Sequence, residues 1–258
     1  MTPEAFRTLP AAHDPISVLT CYDASFAALC EDAGVDILLV GDSLGMVLQG
    51  ENDTLQVSMD DMRYHTRCVA RGAQQTMIVA DLPYGSDQTP ESAVENARLL
   101  IAAGAHMVKL EGAKLEAIRL LIAEGIPVCG HLGFTPQSVH ELGGYKVQGR
   151  DAESAQRILR DALALQDAGA TMLVLEMVPA ALAAEVTSTL RIPTIGIGAG
   201  PACHGQVLVL HDMLGIYPGK TPRFARNFMS GAASISEAIQ HYVQAVKAGS
   251  FPAPEHCF

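Results

Sequence analysis

Four times in this chain a helical stretch runs out at a glycine and an unbroken apolar segment follows at once. Glu31-Asp32-Ala33-Gly34 precedes Val35–Val40, and Ala102-Ala103-Gly104 precedes His106–Leu110. Ala123-Glu124-Gly125 precedes Pro127–Gly130, and Asp167-Ala168-Gly169 precedes Met172–Leu175. A glycine just past a helix supplies the left-handed residue that ends it. An apolar run without alternation is a strand covered on both faces, as in a parallel sheet. Punctuation of this kind restricts the chain to alternating strands and helices.

Helix starts are equally legible. Thr89-Pro90-Glu91 sets an N-cap before a proline at the first helical position. Ser58-Met59-Asp60-Asp61 resembles a capping box with Asp in place of Glu or Gln. Eight strands are predicted: Ser17–Cys21, Asp36–Val40, Met77–Ala80, Met107–Leu110, Pro127–Gly130, Met172–Leu175, Pro193–Ile197 and Val207–Leu210. A last helix is expected near Ile235–Val246, and the link between strands seven and eight is too short for a full helix. Eight alternating units in 258 residues favour an α/β chain folded as one (β/α)8 TIM barrel, a single domain over 1–258 with no internal linker. No GxGxxG follows the first strand, which removes the main dinucleotide-fold signal.

Composition excludes several classes. A formal net charge of −11 argues against nucleic acid and anionic membrane surfaces as partners. An anionic substrate in so acidic a chain calls for a local reversal of the field, which a metal ion supplies. Met1 to Asp14 lacks the basic and apolar regions of a secretory leader, and no apolar run is long enough to span a membrane. The scattered cysteines (Cys21, Cys30, Cys68, Cys129, Cys203, Cys257) include no CxxC pair and read as reduced thiols of a cytoplasmic protein.

The chemistry is expected at the strand ends, because a barrel of this type places its active site at the C-terminal face. Strand one ends in Tyr22-Asp23, strand two in Gly41-Asp42-Ser43 and strand three in Asp81. Strand four contains Lys109 and ends in Glu111, strand five ends in His131 and strand six in Glu176. Lys109 and Glu111 are two apart and therefore share one side of their strand. Asp42, Asp81 and Glu111 come from three adjacent strands and can converge on one cation. An all-oxygen set suits Mg2+, which keeps several waters and takes one or two direct carboxylates. Glu176 lies two strands further round, free to act as a base.

Simpler readings stand beside these. Asp23, Asp42 and Asp81 can each cap the helix that follows. Lys109 can pair with Glu111 or Asp81, and Glu176 can be a first-turn helix acid. His131, His204 and His211 have no ligand spacing and read as hydrogen-bonded structural residues. Gly196-Ile197-Gly198-Ala199-Gly200 can cradle a phosphate, although close packing over the barrel mouth is the favoured reading. The stretch from Gly143 to Gly149 reads as a loop near the mouth. Lys220, Arg223 and Arg226 form a basic cluster that can meet an anionic tail or simply be a solvated helix face.

Taken in order, several of these segments resemble the ketopantoate hydroxymethyltransferase family. They are Thr20-Cys21-Tyr22-Asp23, Val40-Gly41-Asp42-Ser43-Leu44-Gly45-Met46, Ala80-Asp81-Leu82-Pro83 and Val108-Lys109-Leu110-Glu111-Gly112. Further along come Cys129-Gly130-His131-Leu132-Gly133-Phe134-Thr135-Pro136-Gln137, Gly144-Tyr145-Lys146-Val147-Gln148-Gly149 and Val174-Leu175-Glu176. The resemblance runs from about Ser17 to Phe228. It implies hydroxymethyl transfer to 3-methyl-2-oxobutanoate, the first committed step toward pantothenate, with Mg2+ as metal and 5,10-methylenetetrahydrofolate as donor. It further implies Asp42, Asp81 and Glu111 at the metal, Asp42, Ser43, Asp81 and Lys109 at the keto acid, and Glu176 as proton acceptor. A homo-oligomer, often a decamer, is implied as well. Cys21 and Met177, beside key acids, are small departures from the family pattern.

Three rival functions remain open at this level. A metal-dependent aldolase or lyase of the isocitrate lyase and phosphoenolpyruvate mutase type shares both fold and enolate chemistry. A Schiff-base aldolase would use Lys109 as nucleophile. A small-molecule sensor would bind the keto acid without turning it over.

Overall fold

The computed structural model describes residues 14–258. The opening segment read above for a leader lies, apart from Asp14, outside the described residues. Eight parallel strands close into a barrel in chain order: β1 (Ile16–Thr20), β2 (Ile37–Val40), β3 (Met77–Asp81), β4 (Met107–Glu111), β5 (Val128–Gly133), β6 (Met172–Glu176), β7 (Thr194–Ile197) and β8 (Gly205–Leu208). The helices are α1 (Ala24–Asp32), α2 (Met59–Gly72), α3 (Pro90–Ala103), α4 (Leu115–Ala123), α5 (Ala152–Asp167), α6 (Ala180–Thr189), α7 (Leu210–Met213) and α8 (Ile235–Lys247). The predicted (β/α)8 barrel is the observed fold, with no helix between β7 and β8. Among the described residues, no helix is long and apolar enough to cross a membrane.

Local chemistry explains the element ends. Gly104 takes φ +113 after α3, a conformation that costs a residue with a Cβ. Thr89 and Ser58 cap α3 and α2 as capping boxes, the first closed by Ser92 and the second by Asp61. Each helix lays one stripe on the barrel: Met62, Thr66 and Val69 from α2, Ile158, Ala162 and Leu165 from α5. Burying the Met, Val, Ile and Leu side chains among them contributes about 1.5–3 kcal/mol each. The Tyr242 hydroxyl on α8 lies 2.9 Å from the Val18 carbonyl and 2.8 Å from that of Gln206, tying the last helix across the β1–β8 seam.

The barrel interior is filled rather than hollow. Val18, Ile37, Val79, Met172, Ile195 and Val207 surround a residual void of only 20 Å³, and Lys109 and Cys129 line it too. Such a plug closes the bottom of the barrel and forces polar chemistry to its upper rim.

Several strand ends differ from expectation, and the differences bear on the site. β5 runs on to Gly133, so His131 points from within the strand instead of following it. Asp81, Glu111 and Glu176 are likewise the last residues of their strands, which ties their backbones into the ladder. β8 begins two residues earlier than predicted and stops at Leu208.

Candidate active site

Barrel register decides which strand-end residues meet. Asp81 pairs with Lys109 across β3 and β4, and Glu111 pairs with His131 across β4 and β5. Gly133 pairs with Glu176 across β5 and β6, which lifts Glu176 one pleat above His131. Asp42 and Ser43 follow β2 directly. Together these side chains line one pocket of about 140 Å³ at the C-terminal mouth.

Within it, Lys109 Nζ lies 3.1 Å from Asp81 Oδ1, both nearly without solvent. Burial alone would discharge this amine, but Asp81, Glu111 and Asp42 surround it and hold it firmly protonated. A protonated amine has no lone pair for a carbonyl, so these surroundings favour Lys109 as a binding cation over a Schiff-base nucleophile. The Asp42 amide donates to Asp81 Oδ2 at 3.1 Å, which sets the two acids side by side. Gln137, on the single turn after β5, donates its side-chain N–H to Asp42 Oδ2 at 2.8 Å and its backbone N–H to Glu111 Oε2 at 3.0 Å. Neither Asp42 nor Asp81 caps a helix. Asp23 does, accepting from the Ser25 and Phe26 amides of α1.

Charge crowding is severe. Burial, with Asp81 and Glu111 adding repulsion, pushes the Asp42 carboxyl well above the usual range. Burial also raises Asp81, although Lys109 and the Asp42 amide pull the other way. Glu111 behaves oppositely: burial would raise it, but His131, Lys109 and the Gln137 amide outweigh burial and hold it below its usual value. Glu111 Oε1 and Asp81 Oδ1 are buried and make no well-aligned hydrogen bond, with only the His131 ring and the Lys109 ammonium beside them. Three buried carboxylates facing one ammonium leave an acidic excess that a hard cation relieves. The side chains as they stand do not form a ready three-ligand cluster. Among the described residues, no group of three His, Cys, Asp or Glu is set to hold one ion.

His131 occupies the centre, which its reading as a merely structural histidine missed. Its Nδ1 lies 3.5 Å from Glu111 Oε1 and 3.4 Å from Lys109 Nζ, and its Nε2 lies 3.3 Å from Glu176 Oε2. Burial and Lys109 favour the neutral ring, but Glu111 and Glu176 prevail and raise it to about 9. The imidazole therefore links the acid cluster to Glu176 across the pocket.

Glu176 is aimed by strain. The next residue, Met177, has φ +46, a left-handed conformation that costs a side-chain-bearing residue about 1–3 kcal/mol. Its amide is held by the Ile197 carbonyl, and its own carbonyl accepts from the Gln148 amide at 2.9 Å. Glu176 is thus the terminal residue of β6, not a helix acid, since α6 starts at Ala180. Ser43 Oγ lies 2.9 Å from the hydroxyl of Tyr22, a buried phenol that burial keeps neutral.

A second cavity of about 590 Å³ opens beside the first, and Ser43, Tyr145, Glu176, Asp212 and Phe224 line both. Tyr145 comes from the loop expected at the mouth and packs on Phe134, 4.9 Å between ring centroids. The segment carrying Lys220, Arg223 and Arg226 is irregular rather than the helix face expected, and its Lys220 and Arg223 line this second cavity. The glycines of 196–200 serve packing: a Cβ on Gly198 would approach Phe224 and Phe258 to 3.0 Å. His204 bonds Thr194 and is structural. Gln137 carries no mark in the sequence strong enough to single it out. Asp212, however, closely follows the eighth apolar run, the same signal that marked the other acids.

A closed parallel barrel with its acids, one lysine and one histidine gathered at the C-terminal mouth defines an enzyme of the (β/α)8 class. The description ketopantoate hydroxymethyltransferase fits residues 1–254 as a family, and the chain belongs to that family. It is 66% identical over 248 residues to the 3-methyl-2-oxobutanoate hydroxymethyltransferase of Methylobacillus flagellatus, covering 95% of each chain. It is 59% identical over 261 residues to that of Nitrosospira multiformis, covering 100% of this chain and 99% of the other. Among solved structures, the fold resembles a phosphonopyruvate hydrolase complexed with oxalate and Mg++, with a TM-score of 0.62 at 16% identity. That likeness covers 96% of this chain and 99% of the other.

Proposed function

We propose that this enzyme makes ketopantoate by adding a hydroxymethyl group to C3 of 3-methyl-2-oxobutanoate, with 5,10-methylenetetrahydrofolate as one-carbon donor. The observation that carries the reading is the division of the pocket. Asp42, Asp81 and Lys109 stand on one side, Glu176 stands on the other, and His131 lies between them. Within a family defined by this reaction, that layout matches a substrate gripped at its keto-acid end and deprotonated at C3.

The residues divide the work as follows. The Lys109 ammonium and the Ser43 hydroxyl bind the keto-acid carboxylate, and Tyr22 orients that hydroxyl. Asp42, Asp81 and Glu111 would hold Mg2+, with Gln137 and His131 setting the positions of Asp42 and Glu111. When bound, the ion supplies Lewis-acid polarisation of the keto oxygen. Glu176 takes the C3 proton as general base. His131, with Nε2 3.3 Å from Glu176 Oε2, holds the Glu176 carboxylate in place. Gln137 holds Asp42 and Glu111 at a set separation, and the apolar plug below the pocket excludes water from its floor. The homo-oligomer and cytoplasmic setting implied by the resemblance belong to the same proposal, and sedimentation of the purified chain checks the first.

The test is product formation from 3-methyl-2-oxobutanoate and 5,10-methylenetetrahydrofolate, with and without EDTA. In parallel, exchange of the C3 proton into D2O is followed in the parent and in Glu176→Gln. Turnover lost with chelator, and exchange lost in the variant, are expected. Exchange at the parent rate in Glu176→Gln would remove Glu176 as the base.

A further inference from the structure

The product's connectivity sets a constraint on the donor side of the reaction. The methylene of the donor bridges two nitrogens and carries no oxygen, so the hydroxyl of a hydroxymethyl group must come from water. C3 of the keto acid holds one hydrogen and two methyls; once the new C–C bond forms, it has no hydrogen left. A carbon still tied to nitrogen at that stage would need displacement beside a quaternary centre, and elimination is closed because C3 has no proton. Water must therefore enter before the C–C bond forms. That step needs an acid–base group where donor and keto acid meet.

A carboxyl with no role in the steps above sits there. Asp212 lines both the 140 Å³ pocket and the 590 Å³ cavity, as Glu176 does. It lies on α7, directly behind β8, and is only 8% exposed. Nothing among the described residues hydrogen-bonds its carboxyl, and burial lifts it to about 6, so acid and base forms are both accessible near neutrality. The larger cavity suits a bicyclic donor with an anionic tail: Phe224 and Phe258 wall it, and Lys220 and Arg223 stand exposed at its rim. The Arg223 guanidinium lies 5.3 Å from the Phe258 ring centroid and makes no ion pair among the described residues.

We propose that Asp212 is the acid–base catalyst that opens the donor's methylene bridge, releasing the one-carbon unit as formaldehyde before the C–C bond forms. The proposal rests on the reading of a reduced folate as donor. The neutral carboxyl protonates one bridging nitrogen as its C–N bond breaks, and the other nitrogen's lone pair makes a C=N iminium. Water adds to that carbon, its proton passing to the Asp212 carboxylate and the π pair returning to nitrogen. The second C–N bond then breaks with the Asp212 proton going to nitrogen, while the carbinol O–H proton returns to Asp212. Donor plus water has become tetrahydrofolate plus formaldehyde. The C3 carbanion adds to formaldehyde, and the new oxygen takes the proton that Glu176 removed.

The experiment compares the parent with Asp212→Asn in the full-length chain with Mg2+. Three rates are read: product from keto acid plus 5,10-methylenetetrahydrofolate, product from keto acid plus formaldehyde, and C3 proton exchange. Tetrahydrofolate binding is followed by fluorescence. The variant is expected to lose about 100-fold in the donor-dependent rate, the scale of one general acid–base group. The formaldehyde-dependent rate, the exchange rate and tetrahydrofolate affinity should stay within about threefold of the parent, a margin small beside that loss. A variant that keeps the donor-dependent rate, or loses the formaldehyde-dependent rate equally, overturns the role of Asp212. A parent that uses the donor but never formaldehyde overturns the sequence of steps. A parent active with formaldehyde and inactive with the donor sinks the donor reading and the proposal with it.

Discussion

Asp212→Asn should stabilise the fold at neutral pH, and by an amount that changes with pH in a defined direction. Burial is the sole cause of the raised Asp212 carboxyl, which moves from 3.8 to about 6. Between those values the folded chain binds more protons than the unfolded chain, so its stability falls as pH rises through the window and stays reduced above it. The interval corresponds to about 3 kcal/mol at about 1.36 kcal/mol per pH unit. Water reaching the carboxyl through the cavity screens it and cuts the cost to about 1–2 kcal/mol. Asparagine keeps the shape and removes the ionisation. Urea and thermal melts in EDTA at pH 7.5 should show the variant about 1–2 kcal/mol more stable, with Tm higher by about 2–6 °C for a chain of this size. At pH 4.5 the gain should shrink to about a third, because most of the titration lies above that pH. A variant no more stable at pH 7.5, or one whose gain is equal at both pH values, refutes the argument that burial alone raises this carboxyl. Stability surrendered at a group that handles protons is the expected sign of function.

Three further perturbations separate positioning from packing. Lys109→Met leaves Asp81 and Asp42 buried without their cation; we expect a loss of about 3 kcal/mol at pH 8 and less at pH 5, where those raised carboxyls take up protons, and denaturant melts in EDTA that show no such pH dependence would contradict this. Gly133→Ala forces a Cβ to 2.2 Å from the Glu176 carbonyl at φ +95, so the tip of β6 must move; kcat should fall about 100-fold with KM for the keto acid little changed, as for a base displaced by about 1 Å. Asp23→Ala deletes a cap that accepts from two amides of α1; it should cost about 1 kcal/mol in urea melts and leave kcat unaltered, and a kcat loss would return Asp23 to the catalytic machinery.

What could be read without a structure was the information that lives in short stretches of chain. Glycines after helices, unbroken apolar runs and capping residues are local, and the order of these local units specifies a barrel because a parallel strand needs a crossover before its neighbour. Strand ends were legible for the same reason, and they exposed Asp42, Asp81, Lys109, Glu111 and Glu176. The partners of those residues were not. Gln137 reaches Asp42 across 95 positions and Lys109 meets His131 across 22, contacts that exist only after the barrel closes. His131 looked structural because no spacing marks a ligand, and register alone put it between Glu111 and Glu176. Asp212 follows an apolar run as the other acids do, but its significance depends on two cavities meeting beside it. Residue type and position along the chain determined which groups stand at the mouth. The tertiary structure decided their charge, since burial and neighbouring charges, not identity, raise Asp42 and Asp212 while holding Glu111 down.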